Sequence, residues 1–170
     1  MSVEAFPFAP FRRPAPDPAR REALRDSLAD LASSVGVAAC WGPDGPRGVL
    51  VRSLMRVSAS PPRVLLSIDK AAAGHAALLD AEAIGLSILS DGQRDEADRF
   101  DAASSQAWLA GRWSETADQP PTLLGALAAV IGRVRSRIDA GSHTLLILDL
   151  SDAERRAGAP LVCFDQTYAG

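Results

Sequence analysis

The sequence predicts a mainly β fold with a few helices, arranged as a barrel. Three observations carry that reading. Six or seven short apolar runs rich in Val, Ile and Leu have strand length. Two Gly-containing turns, Gly42-Pro-Asp-Gly45 and Asp139-Ala-Gly-Ser142, join neighbouring runs as antiparallel hairpins. Helical periodicity is confined to short stretches, so helices decorate a sheet instead of building the core. The chain has 170 residues, enough to close one core, and shows no repeat or linker that would divide it. The expected organisation is an irregular arm over residues 1–16 and a single domain over 17–170.

The arm contains four prolines and three phenylalanines; Phe6, Phe8 and Phe11 are available to pack on the body or on a second subunit. Asp17-Pro18 starts a helix, with Asp as N-cap and Pro at the first helical position. Leu24, Leu28, Leu31 and Val35 recur at helical spacing, so this helix is expected to run about 15 residues and stop before Gly36. Residues 35–41, VGVAACW, read as a strand, and 48–53, GVLVRS, as its hairpin partner. Arg63–Asp69 is a short apolar strand, Ala71–Asp80 a short helix and Ala83–Leu89 another strand. A polar helix from Gln93 to about Phe100 precedes an excursion over 101–122 that carries Trp108, Trp113 and Pro120-Pro121.

Residues 123–138 are ambiguous. LLGALAAV suits a helix, whereas GRVRSRI alternates like a strand, and a transition into strand is expected near Val130. HTLLILDLSD (143–152) is the clearest strand, and PLVCFD (160–165) closes the set.

The stretch Arg47–Pro62, RGVLVRSLMRVSASPP, stands out. It opens as a strand, turns a polar corner at Arg52-Ser53 and ends in Ser58-Ala-Ser-Pro-Pro. The two prolines lack N–H groups and bias Ser60 away from helix, so a crossover without full pairing is expected. Ser53, Ser58 and Ser60, with any unpaired backbone N–H groups, would form a row of donors suited to a planar ligand with a polar edge or to a phosphate. A serine-rich strand connection without a ligand is the other reading.

Composition excludes several classes. A net charge of -3 gives no argument for nucleic acid or an anionic membrane. No apolar run reaches the roughly 18 residues of a membrane span, and Arg12-Arg13 after a proline-broken apolar start does not make a signal peptide. A cytoplasmic protein is expected. Cys40 and Cys163 lie in apolar runs without CxxC spacing and read as reduced, buried small hydrophobes, with a disulfide or reactive thiol as the lesser alternative. His75 and His143 are too far apart in sequence, without neighbouring ligand spacing, to suggest a metal site. No GxGxxG follows a strand, and GxSxG and P-loop motifs are absent. His143 opens a strand after a turn, at a barrel rim: either a surface hairpin histidine or a contact for an anionic or aromatic substrate. Tyr168, the only tyrosine, points nowhere on its own.

Taken in order, six pieces resemble the flavin reductase-like family, the FMN-binding split barrels that serve two-component monooxygenases. The helix leads into Val35-Gly36-Val37. The family's G-x-T-x-S-S-F…S-x-x-PP appears as Gly48-VLVRSLMRVSAS-Pro61-Pro62, and its L-x-x-x-Q-x-x-x-A-x-x-F as Leu89, Gln93, Ala97 and Phe100. Pro121-TLLGALAAVIGRV, Gly141-Ser142-His143 and Pro160-Leu161…Tyr168 match the remaining three. The resemblance runs from about Arg20 to Tyr168.

The resemblance implies a homodimeric split β-barrel that reduces FMN or FAD with NADH or NADPH and supplies reduced flavin to a partner monooxygenase. Flavin-binding positions carried over by motif are Arg52, Ser53, Leu54, Met55, Arg56, Ser58 and Ala59, with a second segment at Ala73, Gly74 and His75. The nicotinamide nucleotide is implied near His143 and the closing residues Cys163, Phe164, Asp165, Gln166 and Tyr168. Hydride transfer needs stacked rings and excluded water more than an acid or base, so no catalytic side chain is assigned.

Two departures bear on the cofactor. Leu50 and Arg52 stand where the family has Thr and the first Ser, and Ala71, Ala72, Ala73 and Gly74 replace hydroxyls in the second segment. Ser142 for Asp in G-D-H is milder. Three consequences stand open. Arg52, Arg56 or Lys70 compensates with charge-assisted bonds to the phosphate; flavin is held weakly and released; or the site is degenerate and the chain is a non-catalytic flavin-binding or flavin-less module.

Overall fold

The first hairpin forms where the sequence puts it. Strand β2 (Gly36–Gly42) turns through Pro43-Asp44 into β3 (Gly45–Val51), with Gly42 opposite Gly45. Gly45 adopts φ 124°, a conformation that favours glycine. This computed structural model describes residues 17–102, 112–114, 116, 118–165 and 167–169. The expected arm, Trp108 and Gln166 lie outside the described residues.

Seven strands form one antiparallel sheet. Besides β2 and β3 these are β4 (Leu54–Ala59), β5 (Pro62–Asp69), β6 (Ala83–Ile88), β7 (Ala128–Ala140) and β8 (His143–Arg155). Their spatial order is β3-β2-β6-β7-β8-β5-β4. A second, three-stranded sheet joins β1 (Ser33–Ser34), β9 (Val162–Phe164) and β10 (Thr167–Ala169) in the order β1-β9-β10. Helices α1 (Pro18–Ala29), α2 (His75–Asp80) and α3 (Arg94–Asp101), the last led by a 3-10 turn at Asp91–Gln93, complete the described elements. Among the described residues no helix is long and apolar enough to cross a membrane.

Strands β3 and β4 are consecutive in sequence yet stand at opposite ends of the large sheet. The Arg52-Ser53 corner spans the two edges, and Ser67 N–H donates to Ser53 O at 3.1 Å. The sheet is therefore curled around one core, built from Ala38, Val51, Leu66, Ile68, Ile84, Leu86, Leu146 and Leu148, with Leu78 of α2. On the other face of β2, Val37 and Ala39 join Val35, Leu89, Ala97, Trp113, Leu161 and Cys163 in a second cluster. Burial on both faces explains why β2 reads as a continuous apolar run without alternation.

Four expectations need correction. Helix α1 stops at Ala29 after 12 residues, short of the length expected and well before Val35. Asp17 caps its start by accepting from Arg20 N–H at 2.9 Å, but Leu24, Leu28 and Leu31 are exposed, and Val35 belongs to the buried second cluster. The crossover expected at Ser60-Pro61-Pro62 is instead the turn between the edge strand β4 and β5, which pair through a bulge between Arg56 and Ser58. Helix α2 begins at His75 and not at Ala71, because Ala71 N–H is bound by Asp69 Oδ1 and His75 N–H by Ala72 O in the turn before it. The transition into strand expected near Val130 comes at Ala128, and the helical option for the residues before it fails. Gly125 at φ 78° breaks the chain direction, and from Ala128 onward the backbone pairs with both β6 and β8.

Candidate functional site

The stretch Arg52–Ala59 is the closing corner of the sheet followed by its last strand. Because β4 has no neighbour beyond it in the described sheet, half of its backbone N–H and C=O groups face away from β5. Leu54 turns inward to pack against the main core, while Met55 and Val57 are 56% and 44% exposed. Ser53 is exposed and Ser58 half-buried. A free row of backbone donors, hydroxyls at either end and an apolar surface between them fit a planar aromatic group with a polar rim. Arg56 is exposed and has no ion-pair partner among the described residues.

Arg52 is differently placed. Its guanidinium pairs with the Asp101 carboxylate and donates from Nη2 to Tyr168 Oη at 3.0 Å. Tyr168 in turn donates to Asp101 Oδ2 at 2.9 Å. The guanidiniums of Arg52 and Arg94 lie 5.7 and 5.8 Å from the Tyr168 ring centroid. Partial burial works to lower the Arg52 pKa, but the Tyr168 hydrogen bond and the Asp101 charge outweigh it and hold Arg52 above its ordinary value. Burial pushes the Tyr168 phenol up, against the Arg52 hydrogen bond. Asp101 and Arg94 were not singled out from the sequence. They come from α3, far from residues 52 and 168, and no local signal marks them.

A second group gathers where β5 ends. Lys70 N–H donates to Ser142 O at 3.0 Å, and Lys70 Nζ pairs with Asp139 Oδ2 at 2.8 Å. The Lys70 hydrogen bond, with a smaller contribution from Gly141 N–H, holds the Asp139 carboxyl below the usual range. His75 Nε2 lies 2.9 Å from Thr144 Oγ1, and Ser142 Oγ lies 2.9 Å from His143 Nδ1. Gly74 is buried against the Gly48 carbonyl of β3. Ser67, bonded to the Ser53 corner, precedes Asp69, the residue opposite His143, by two positions, or about 7 Å along a strand. Corner and second group therefore share one end of the sheet.

The sequence-derived nicotinamide set is divided by this arrangement. His143 lies opposite Asp69, next to Lys70, and its neighbour Thr144 bonds His75, whereas Tyr168 and Cys163 sit near Arg52, on the small sheet. Cys163 is buried and packs into the second cluster; Phe164 is exposed. Asp165 adopts φ 47° and its N–H binds Ala29 O. Phe164 and Asp165 line a cleft of about 200 Å³ against Arg25, Asp26, Ala29 and Asp30 of α1. Both cysteines are free, and burial pushes the Cys40 thiol up to about 11, so it stays protonated. Among the described residues no group of three or more His, Cys, Asp or Glu side chains is gathered as a metal site.

The sequence model of the flavin reductase like domain matches residues 28–170. The FMN reductase (NADH) SmoA of Agrobacterium fabrum is 32% identical over 141 residues, covering 83% of this chain and 80% of that protein. The reductase component of 4-hydroxyphenylacetate 3-monooxygenase from Pseudomonas aeruginosa is 28% identical over 155 residues, with 88% and 91% covered. Among solved structures, the NADH:FAD oxidoreductase SgcE6 of Streptomyces globisporus C-1027, in complex with NAD and FAD fragments, superposes with a TM-score of 0.81. It is 27% identical, over 91% of this chain and 94% of that one. With the domain matched from Leu28 to Gly170, the chain belongs to the flavin reductase like domain family.

Proposed function

We propose that this chain reduces FMN or FAD with NADH or NADPH and hands the reduced flavin to a separate monooxygenase. The observation that carries the reading is the shared end of the sheet, where the free-edged strand after Ser53 meets the Lys70–His143 group. When bound there, flavin supplies a ring that accepts hydride from the nicotinamide. The residues of the chain bind and orient. Ser53, Ser58 and the outward N–H groups of β4 hold the polar rim, and Met55 gives an apolar surface. Arg56 offers a cation that no carboxylate neutralises among the described residues. Ala73, Gly74 and His75 shape the wall beside the corner, Ala59 closes the other end of β4 opposite Pro62, and His143 stands at the open side with Phe164 and Asp165 further round. No acid or base is needed, since hydride transfer requires stacking and exclusion of water.

The fold is read as a split barrel that works as a homodimer in the cytoplasm. The curled sheet supports the barrel; the exposed Leu24, Leu28 and Leu31 stripe and the uncovered β4 edge support a second copy.

The test is an anaerobic titration of the purified protein with FMN or FAD, followed by NADH. Loss of the flavin absorbance band at a catalytic rate is expected, with free flavin turned over in excess of protein. Flavin binding without reduction, or no binding at all, would overturn the reading.

A further inference from the structure

We infer that Tyr168, with Asp101 and Arg94, is a positioning residue that fixes Arg52 and the corner leading into β4, and is not a surface on which the nicotinamide stacks. The inference rests on reading residues 52–59 as the flavin-binding stretch.

Three observations carry it. First, the Tyr168 hydroxyl is fully occupied, accepting from Arg52 Nη2 at 3.0 Å and donating to Asp101 Oδ2 at 2.9 Å. Second, the Tyr168 ring has two guanidiniums over it, Arg52 at 5.7 Å and Arg94 at 5.8 Å. Cations at that distance are held by the ring quadrupole, so the ring is already engaged by two side chains of this chain. Third, Arg52 is fastened at its backbone as well, since Ser33 Oγ donates to Arg52 O. Ser33 belongs to β1, which pairs with β9, and β9 pairs with the Tyr168 strand β10. The small sheet therefore grips residue 52 twice, once through β1 at the main chain and once through β10 at the side chain.

The consequence concerns which part of the ligand the clasp controls. The Arg52 charge is committed to Asp101, so a phosphate would have to displace a carboxylate to use it. Arg52 is thus a strut and not the phosphate ligand. What the clasp sets is the direction in which Ser53 and the free edge of β4 leave the corner. Every flavin presents its ring system to that edge, whether or not it carries a phosphate.

Steady-state kinetics of Tyr168→Phe and Asp101→Asn, with FMN and riboflavin as alternative acceptors, test this. Tyr168→Phe removes both hydrogen bonds of the hydroxyl, to Arg52 and to Asp101, and Asp101→Asn removes the charge that pairs with Arg52; both preserve shape. Each is expected to raise KM for FMN and for riboflavin alike, by about tenfold, while kcat and the KM for NADH hold. Arg52→Lys, which restores a cation without the planar fork, should recover only part of the loss of Arg52→Met. A rise in the NADH KM alone in Tyr168→Phe would overturn the inference and return Tyr168 to the nicotinamide. A loss confined to FMN, with riboflavin spared, would overturn it in favour of Arg52 as a phosphate ligand. Failure of the flavin reading itself is separately visible, because the unsubstituted protein would then reduce neither acceptor.

Discussion

Gly74 lies against the backbone carbonyl of Gly48, so close that a Cβ at position 74 would overlap that oxygen. The contact seats the start of α2 on β3 and brings Leu78, fully buried, into the main core. Gly74 has φ -86°, which any residue adopts, so the demand for glycine here is steric and not conformational. Gly74→Ala must push α2 away from the strand. The expected cost is about 1–3 kcal/mol, read as a lower urea midpoint with an unchanged slope. Flavin affinity should fall in parallel, since the Lys70–His75 turn moves with the helix. A midpoint equal to that of the parent would mean that helix and strand part freely.

Glu96 carries a buried charge shared by two arginines. It is 8% exposed; Oε1 pairs with Arg112, and Arg99 approaches at 3.1 Å without hydrogen-bond alignment. Oε2 is buried without a hydrogen bond. Glu96→Ala strands two half-buried guanidiniums beside the second apolar cluster and is expected to cost about 3 kcal/mol. Glu96→Gln keeps an acceptor and should cost less. Chemical denaturation of the two variants distinguishes the cases: equal, small losses would show that the arginines find water instead.

Two exposed carboxylates set the acid side of the stability profile. Asp149 is held below its ordinary value chiefly by the Arg63 hydrogen bond, with Arg135 adding to it; Asp139 is held down by Lys70 and Gly141 N–H. A lowered folded pKa means that the unfolded chain binds the proton more readily. Both groups therefore stabilise the fold above the unfolded carboxylate pKa of about 4, and the contribution is lost as pH falls through the lower folded values. Unfolding midpoints measured from pH 7 down to pH 3 should fall at the acid end. Asp149→Asn should flatten that fall; an unchanged pH profile would remove the assignment.

Much of the fold was legible because its signals are local. The β2–β3 hairpin is announced by Gly42-Pro-Asp-Gly45, and β8 by an unbroken apolar run. Strand β4 was not legible. Its sequence, LMRVSA, has one core-facing residue, Leu54, and an open edge, so it carries little alternation, and Ser60-Pro61-Pro62 after it resembles a crossover. Residues 123–138 were read as possible helix because alanine and leucine favour it locally, while Gly125 at φ 78° and the pairing of β7 on both sides from Ala128 decide otherwise. The candidate site shows the same division. Arg52 and Tyr168 could each be named by motif, but their contact joins residues 116 apart through Asp101. Nothing in the sequence brings three residues from a corner, a helix end and the closing strand together; only the curl of the sheet does.

Helix α1 presents Leu24 and Leu28 at 53% and 65% exposure and buries no residue, and Leu31, two residues past its end, is 69% exposed. A helix of 12 residues is marginal in water on its own, and its backbone tie to the body shown here is Asp165 N–H to Ala29 O. Such a stripe, at spacing i, i+4 and i+7, calls for an apolar cover. In the homodimer reading the second copy supplies it. The double substitution Leu24→Gln and Leu28→Gln then shifts the protein from dimer to monomer at micromolar concentration, measured by light scattering after gel filtration, while far-UV circular dichroism keeps its β signature. On a truly uncovered surface the same changes would move stability by no more than about 0.5 kcal/mol and leave the mass unchanged. An unchanged mass would show that α1 is covered within one chain or by a different protein, and would take the stripe out of the homodimer reading.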